Sequence, residues 1–302
     1  MPAFERAVIS LPSGTASGQS PSGNPVFVRA RADETGGMLG VWDMLVPQGT
    51  GHGWHTHTLE TEIHRVERGT FRFWCADERF TLGPGAVIAL PPYVPHQWEN
   101  VGAEPGNLMG IVTPAGYEQL FIELGQSVKP TPKATAALEE RLGIVDGPYG
   151  PAVRPPELPF TRAVVSYPER QRIVQSFGDR QILHLTAAET GGLIGVYEAH
   201  DVPGQGPPWH IHSREDEMFR VLAGNYRFEI GDDVIECGPA TTIVAPRGVR
   251  HRWRNIGDSN GLLLFAVTPG GFEGFFADIA ALSSPDEASM AVLKARYGMS
   301  GA

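Results

Sequence analysis

The chain has 302 residues, long enough for two domains. It carries 24 basic against 34 acidic residues, a net charge of −10 with His neutral, which argues against nucleic acid or an anionic membrane as partner, since both demand a basic face. No apolar run approaches the ~18–20 residues that span a bilayer, the opening MPAFERAVIS shows no basic-then-apolar layout, and Cys75 and Cys237 are too few for a disulfide framework or a Cys-based zinc site. A soluble, reduced, cytoplasmic protein is expected. Gly (37) and Pro (26) make up about a fifth of the chain, above the usual ~12%, a composition that suits short strands joined by turns.

The chain reads as a duplication. A shift of 155 residues brings Glu34-Thr35-Gly36-Gly37 onto Glu189-Thr190-Gly191-Gly192, and the match runs without a gap to Gly125 and Ala280. Roughly four positions in ten are the same residue over that span. Arg6–Pro12 returns as Arg162–Pro168 after a one-residue slip, and Pro130, Leu138, Arg141 and Gly143 meet Pro285, Leu293, Arg296 and Gly298. Gly and Pro crowd together over Val145–Pro159, which places the boundary there and gives domains 1–145 and 146–302.

In chain order, the first copy shows β-like stretches at Met38–Val46, Glu62–Val66, Thr70–Cys75, Ala86–Leu90 and Leu108–Val112, then a helix over Lys133–Leu142. The second shows strands at Leu193–Ala199, Glu217–Leu222, Asn225–Ile230 and Leu262–Val267, then a helix over Pro285–Tyr297. Strands at this spacing form a sandwich or barrel. The repeated Thr113–Glu118 and Thr268–Glu273 read as a turn leading into a helix that covers the barrel.

His55 and His57 are followed by Glu62 and, later, His96; His210, His212, Glu217 and His251 occupy the same places in the second copy. Residues i and i+2 of a strand face one way, so each His-x-His pair projects two imidazoles to one side, and Glu62 reaches the same point from the neighbouring strand. Three imidazoles and a carboxylate suit a borderline divalent ion: Fe, Mn, Co, Ni, Cu or Zn.

With these residues the sequence resembles the two-domain cupins, or bicupins. The first family motif is matched by Gly49, His55, His57, Glu62 and Gly69, and again by Gly204, His210, His212, Glu217 and Gly224. The second is matched by Gly85, Pro91, His96 and Asn100, with Tyr93 where Gly is usual, and by Pro246, Gly248, His251 and Asn255, with Ala240 in place of the first Gly. The resemblance implies an all-β fold of two tandem jelly-roll (double-stranded β-helix) barrels, each with a short C-terminal helix and one divalent transition metal, iron being the first choice. The stretch around His-x-His looks most like the quercetin 2,3-dioxygenase branch. That implies a ring-cleaving dioxygenase using O2 on a flavonol or related hydroxylated aromatic, with Glu62 or Glu217 taking the substrate's hydroxyl proton.

Strand alternation puts Trp98 on the face of His96 and Trp253 on that of His251, as barrel core or as the wall of an aromatic pocket; Asn100 and Asn255 on the same faces are expected to orient turns. His64 falls inward where the second copy has Phe219, either bonded to backbone inside the barrel or serving as an acid–base group. His52 precedes the ligands, and Trp54 and Trp209 are expected on the barrel exterior. Oxalate-decarboxylase-like relatives place an Arg shortly before His-x-His; Gly51–Trp54 and Gly206–Trp209 hold no cation. An isomerase or a non-catalytic small-molecule binder remains an alternative on the same scaffold. The reading leaves room for a homodimer.

Overall fold

The computed structural model describes residues 4–12, 15–126, 131–176, 179–282 and 286–301. The chain forms two compact units, residues 14–170 and residues 171–302 joined by 1–13. Each is a sandwich of a seven-stranded and a five-stranded sheet, paired antiparallel throughout. The fold is all-β with short helices: two jelly-roll barrels in tandem.

In the first unit the larger sheet runs Gly18–Gln19, Pro25–Ala30, Gly40–Val46, Gly106–Thr113, Thr61–Arg68, Val87–Leu90, Val164–Ser166. The smaller runs Ile144–Asp146, Gly51–His57, His96–Asn100, Phe71–Cys75, Glu78–Leu82. Alternation is clearest in Phe71–Cys75, where Phe71, Phe73 and Cys75 are buried and Arg72 and Trp74 are not; this is the period of a strand with one face on the core. The inward faces meet in one apolar cluster that includes Trp42, Val66, Phe73, Ile88 and Leu108.

The second unit repeats the plan. Its larger sheet runs Val8–Ser10, Thr242–Ala245, Asp216–Ala223, Gly261–Thr268, Gly195–Asp201, Asp179–Leu185, Arg172–Ser176. Its smaller sheet runs Asp233–Cys237, Tyr226–Ile230, His251–Asn255, His210–His212, Met299–Gly301. Phe219, Phe228, Phe265 and Leu263 lie at the centre of its core.

The division of the chain departs from a cut at 145/146. Ile144–Asp146 pairs with Gly51–His57, and Val164–Ser166 pairs with Val87–Leu90, so the Gly/Pro-rich stretch lies within the first unit. Val8–Ser10 pairs with Thr242–Val244 in the second. Edge-strand pairing, invisible to composition, sets the division.

The repeated turn-and-helix segments are built alike. Glu118 is buried and accepts from the backbone N–H of Gly116 (2.8 Å) and Ala32 (2.7 Å), pinning the start of the helix Glu118–Gln126. Glu273 does the same with Gly271 (2.8 Å) and Ala187 (2.6 Å) ahead of Gly274–Ala280. The later helices are Pro132–Arg141, capped by Thr131, and Glu287–Arg296, capped by Asp286 with a reciprocal bond from Ser289. Pro130 and Pro285 lie outside the described residues.

Tyr93 (φ 62°) and Ala240 (φ 67°), the two residues standing where the motif has Gly, are in the left-handed region, at a cost of roughly 1–2 kcal/mol for a residue with a Cβ. Ala240→Gly is expected to raise stability by up to about 1 kcal/mol; urea denaturation of the pair of proteins checks it.

Candidate metal centres

In each unit the site begins with register. His55 lies opposite His96 across the Gly51–His57 and His96–Asn100 strands, and His210 lies opposite His251. Each opposed pair puts two imidazoles side by side, and the second His of His-x-His adds a third. Ring centroids of His55 and His96 are 4.4 Å apart, and those of His210 and His251 are 4.3 Å apart. The carboxylate arrives differently from the expectation of a neighbouring strand. Glu62 sits on Thr61–Arg68, in the opposite sheet, because residues 58–60 turn a corner of the sandwich. Glu217 on Asp216–Ala223 is placed likewise.

The ligand atoms of His55, His57, Glu62 and His96 all lie within 4.8 Å of one another, as do those of His210, His212, Glu217 and His251, and all eight residues are buried. Five of the six Nδ1 atoms are already engaged. Backbone carbonyls two residues upstream take three of them within 3.0 Å: Gly53 for His55 (2.7 Å), Val94 for His96 (2.9 Å) and Pro208 for His210 (2.9 Å). Val249 takes that of His251 at 3.0 Å. Glu60 Oε2 lies 3.3 Å from His57 Nδ1, and Glu215 Oε2 lies 3.6 Å from His212 Nδ1. These acceptors, which the sequence had not revealed, leave Nε2 to face the centre. In the first group the Nε2 atoms of His55, His57 and His96 and the Oε2 of Glu62 are buried without a hydrogen-bond partner, and in the second the Nε2 of His212 is. Convergent donors of mixed nitrogen and oxygen character, all four of them without a hydrogen-bond partner at the centre of the first group, fit a divalent metal.

Electrostatics agree for three of the imidazoles; at His57 burial is outweighed by Glu62 and Glu60, which hold the ring above its usual range. Burial, helped by neighbouring imidazoles, holds His55 and His96 below the usual imidazole range and brings His210 to about 3. Those rings are neutral at pH 7, as metal ligands must be. Burial pushes against the charge on Glu217, but His212 and His251 outweigh it and its carboxyl falls to about 2. Glu62 is likewise held well below the usual carboxylate range, with His64 and His57 offsetting the cost of burial.

The two groups share ligands but not surroundings. In the first unit His64 is buried with Nε2 3.3 Å from Glu62 Oε2, so it faces the carboxylate and not the backbone. His52 lies against His55 with centroids 3.8 Å apart. Trp42, Tyr117 and Phe121 fill the interior, with Trp42 5.6 and 5.2 Å from the two rings. Trp42 fits because residue 110 is Gly; a Cβ there would stand 2.1 Å from the indole. The space left beside Glu62, bordered by Trp98, is about 10 Å³, no more than one water needs. A surface groove of about 400 Å³ is lined by His52 and Trp54 but by none of the four ligands.

In the second unit Tyr197 replaces Trp42, and Phe265 replaces Gly110. The two rings stack 4.6 Å apart, and Tyr197 donates a 3.0 Å hydrogen bond to Glu217 Oε1. A cavity of about 320 Å³ opens here, lined by His210, His212 and Glu217 with Tyr197, Trp253 and Phe272. Phe219, expected at the pocket wall, packs instead behind it against Phe228, Trp253 and Phe265. Trp98 and Trp253 both face inward, and Asn100 and Asn255 orient turns: each donates to two carbonyls and accepts from the N–H two residues on. Trp209 is partly exposed beneath Arg250 and Arg252. Tyr197 escaped the sequence reading; its signal was an unlike aromatic opposite Trp42 in the shifted alignment.

Comparison with known proteins agrees with this architecture. The cupin domain model matches twice, over residues 42–112 and 197–267. Two barrels of this kind in tandem, each with its three-His–Glu group, make the chain a bicupin in architecture. Among solved structures, oxalate decarboxylase from Lactobacillus farciminis, in complex with formate, superposes with a TM-score of 0.63 at 15% identity, over 87% of this chain and 86% of that one. A point mutant of the Bacillus subtilis oxalate decarboxylase gives 0.62 at 17% identity, over 87% and 78%. Likeness at this identity speaks for the fold. Among curated proteins, SchB of Streptomyces halstedii is 32% identical over 84 residues and polyketide synthase CurC of Streptomyces cyaneus 26% over 85. Each match spans 28% of this chain, and 59% and 54% of those proteins. No helix among the described residues is long and apolar enough to cross a membrane.

Two expectations follow. Protein loaded with a divalent metal carries two ions per chain by elemental analysis, and Glu60→Ala weakens retention at the first group about 10–100-fold while sparing the second. Outside the groups, burial raises the carboxyls of Asp201 and Glu139 to about 7. Each binds its proton more tightly folded than unfolded, so stability falls as pH rises from about 4 to 7. Asp201→Asn and Glu139→Gln should each flatten that slope in melting curves recorded between pH 4 and pH 8.

Proposed function

We propose that this bicupin is a metal-dependent dioxygenase that opens a ring of a hydroxylated aromatic ketone of the flavonol class with O2, and that turnover occurs in the second unit. The observation that carries the reading is the difference in room: about 320 Å³ of largely aromatic cavity at the His210–His212–Glu217–His251 group against about 10 Å³ at the first. A planar aromatic substrate finds flat partners in Tyr197, Trp253, Phe265 and Phe272, and their apolar faces keep water from the reacting carbons.

A divalent ion held by His210, His212, His251 and Glu217 would polarise the substrate's hydroxyl oxygen and engage O2; iron is the first choice. The chain itself handles the proton. Glu217 is ionised, and the Tyr197 hydroxyl fixes its Oε1, so its direction is set before substrate arrives.

A decarboxylase acting on a small carboxylate is the second reading. The names of the similar structures favour it, as does Lys294 on the cavity wall. Against it, Asp179 and Asp201 line the same cavity, and the Gly206–Trp209 segment just before His210 contains no Lys or Arg.

Oxygen uptake by iron-loaded protein on addition of quercetin tests the proposal, with carbon monoxide as the expected co-product. Glu217→Gln should slow uptake by about 100-fold or more, and Glu62→Gln should leave the rate within about threefold. No uptake with either iron or another first-row ion, together with release of carbon dioxide from oxalate, would move the assignment to the decarboxylase.

A further inference from the structure

The duplication supplies a control for every residue of the second cavity. Where the first unit has Val46 and Phe71, an apolar pair in its core, the second has Asp201 and Tyr226. The Tyr226 hydroxyl donates to Asp201 Oδ2 at 3.0 Å, and both residues are buried. Next to them, Val26 of the first unit is replaced by Gln181, whose Oε1 accepts from Ser176 at 2.8 Å. Burying a carboxyl where a valine serves elsewhere in the same molecule is costly. Asp201 and Gln181 line the 320 Å³ cavity, whereas Tyr226 stands behind Asp201 and holds it. A carboxyl with one oxygen bonded to Tyr226 keeps further acceptor capacity, and its position near neutrality weakens repulsion of an electron-rich aromatic ring.

We propose that Asp201, held by Tyr226 and flanked by Gln181, is a specificity-determining residue that accepts a hydrogen bond from a ring hydroxyl of the substrate, one other than the hydroxyl presented to the metal. The inference rests on the second unit being the substrate-binding one, as proposed above. It defines the ligand as an uncharged, polyhydroxylated aromatic, since a carboxylate would carry its charge out of water into a chamber with largely aromatic walls. A hydrogen-bonding site of this kind discriminates strongly against an analogue that lacks the hydroxyl, because the buried acceptor is then left unpaired.

The test compares quercetin with 3-hydroxyflavone, which keeps the hydroxy-ketone but lacks the other ring hydroxyls. Binding is measured by fluorescence on zinc-loaded protein, in which no oxygenation intervenes. Wild type should bind quercetin about 10-fold more tightly or better. The double variant Asp201→Val with Tyr226→Phe installs the pair already packed in the first unit, so folding is expected to survive; it should bind the two ligands equally, through loss of quercetin affinity alone. Asp201→Asn, which keeps the shape and a weaker acceptor, should narrow the preference by severalfold. Equal binding by wild type, an unchanged preference in these variants, or an equal loss for both ligands would overturn the assignment. Preference without oxygen uptake would leave Asp201 in place and remove the dioxygenase reading instead.

Discussion

The register between two strands is the constraint on which the rest depends. His55 opposite His96, and His210 opposite His251, are the pairs that place two imidazoles on one inward face with their Nε2 atoms converging. A slip of one residue would turn one of the two outward and dissolve the group. The carbonyls of Gly53, Val94, Pro208 and Val249 then lock the rings by the Nδ1 atoms, using backbone that the same strands already hold in place. The carboxylate comes from the other sheet, so each group bridges the sandwich at its middle and joins the two layers that the apolar core also joins.

Around this shared frame the two copies diverged by a few exchanges of volume. Trp42 over Gly110 in one barrel and Tyr197 over Phe265 in the other are alternative solutions for the same interior space. The first leaves no room, and the second opens a chamber with a hydroxyl directed at the liganding carboxylate. Polar substitution followed the chamber: Asp201, Tyr226 and Gln181 have apolar counterparts in the closed barrel. The difference between the two centres therefore resides in the walls and not in the ligands, in keeping with a fold that hosts many chemistries on one scaffold.

Much of this was legible in the residues. The offset of 155 exposed the duplication, the His-x-His and Glu spacing exposed the eight ligand-type residues, and period-two alternation placed Trp98, Trp253 and Phe219 inward. Depth within the barrel was not legible: Phe219 and Trp253 alternate in the same way, yet only Trp253 reaches the cavity. Nor was the role of Glu60, which depends on the corner after the His strand bending back toward Nδ1. Composition suggested a linker at Val145–Pro159, but Gly and Pro also serve the turns of a segment that ends as an edge strand, Val164–Ser166. Tyr197 and Asp201 needed the two copies to be compared position by position, since neither belongs to a motif.

The closed interior of the first barrel also bears on time. A ligand group with about 10 Å³ beside it, covered by His52 on one side and by Trp42 and Tyr117 on the other, leaves an ion little free space among the described residues. Departure from that group must wait for the barrel to open locally, a process governed by the stability of its strands. The second group faces a chamber, so an ion held there would meet open space on one side. One chain thus holds two chemically matched centres with separate clocks: the first would keep whichever ion was present when the barrel closed, and the second would answer to the ions around it.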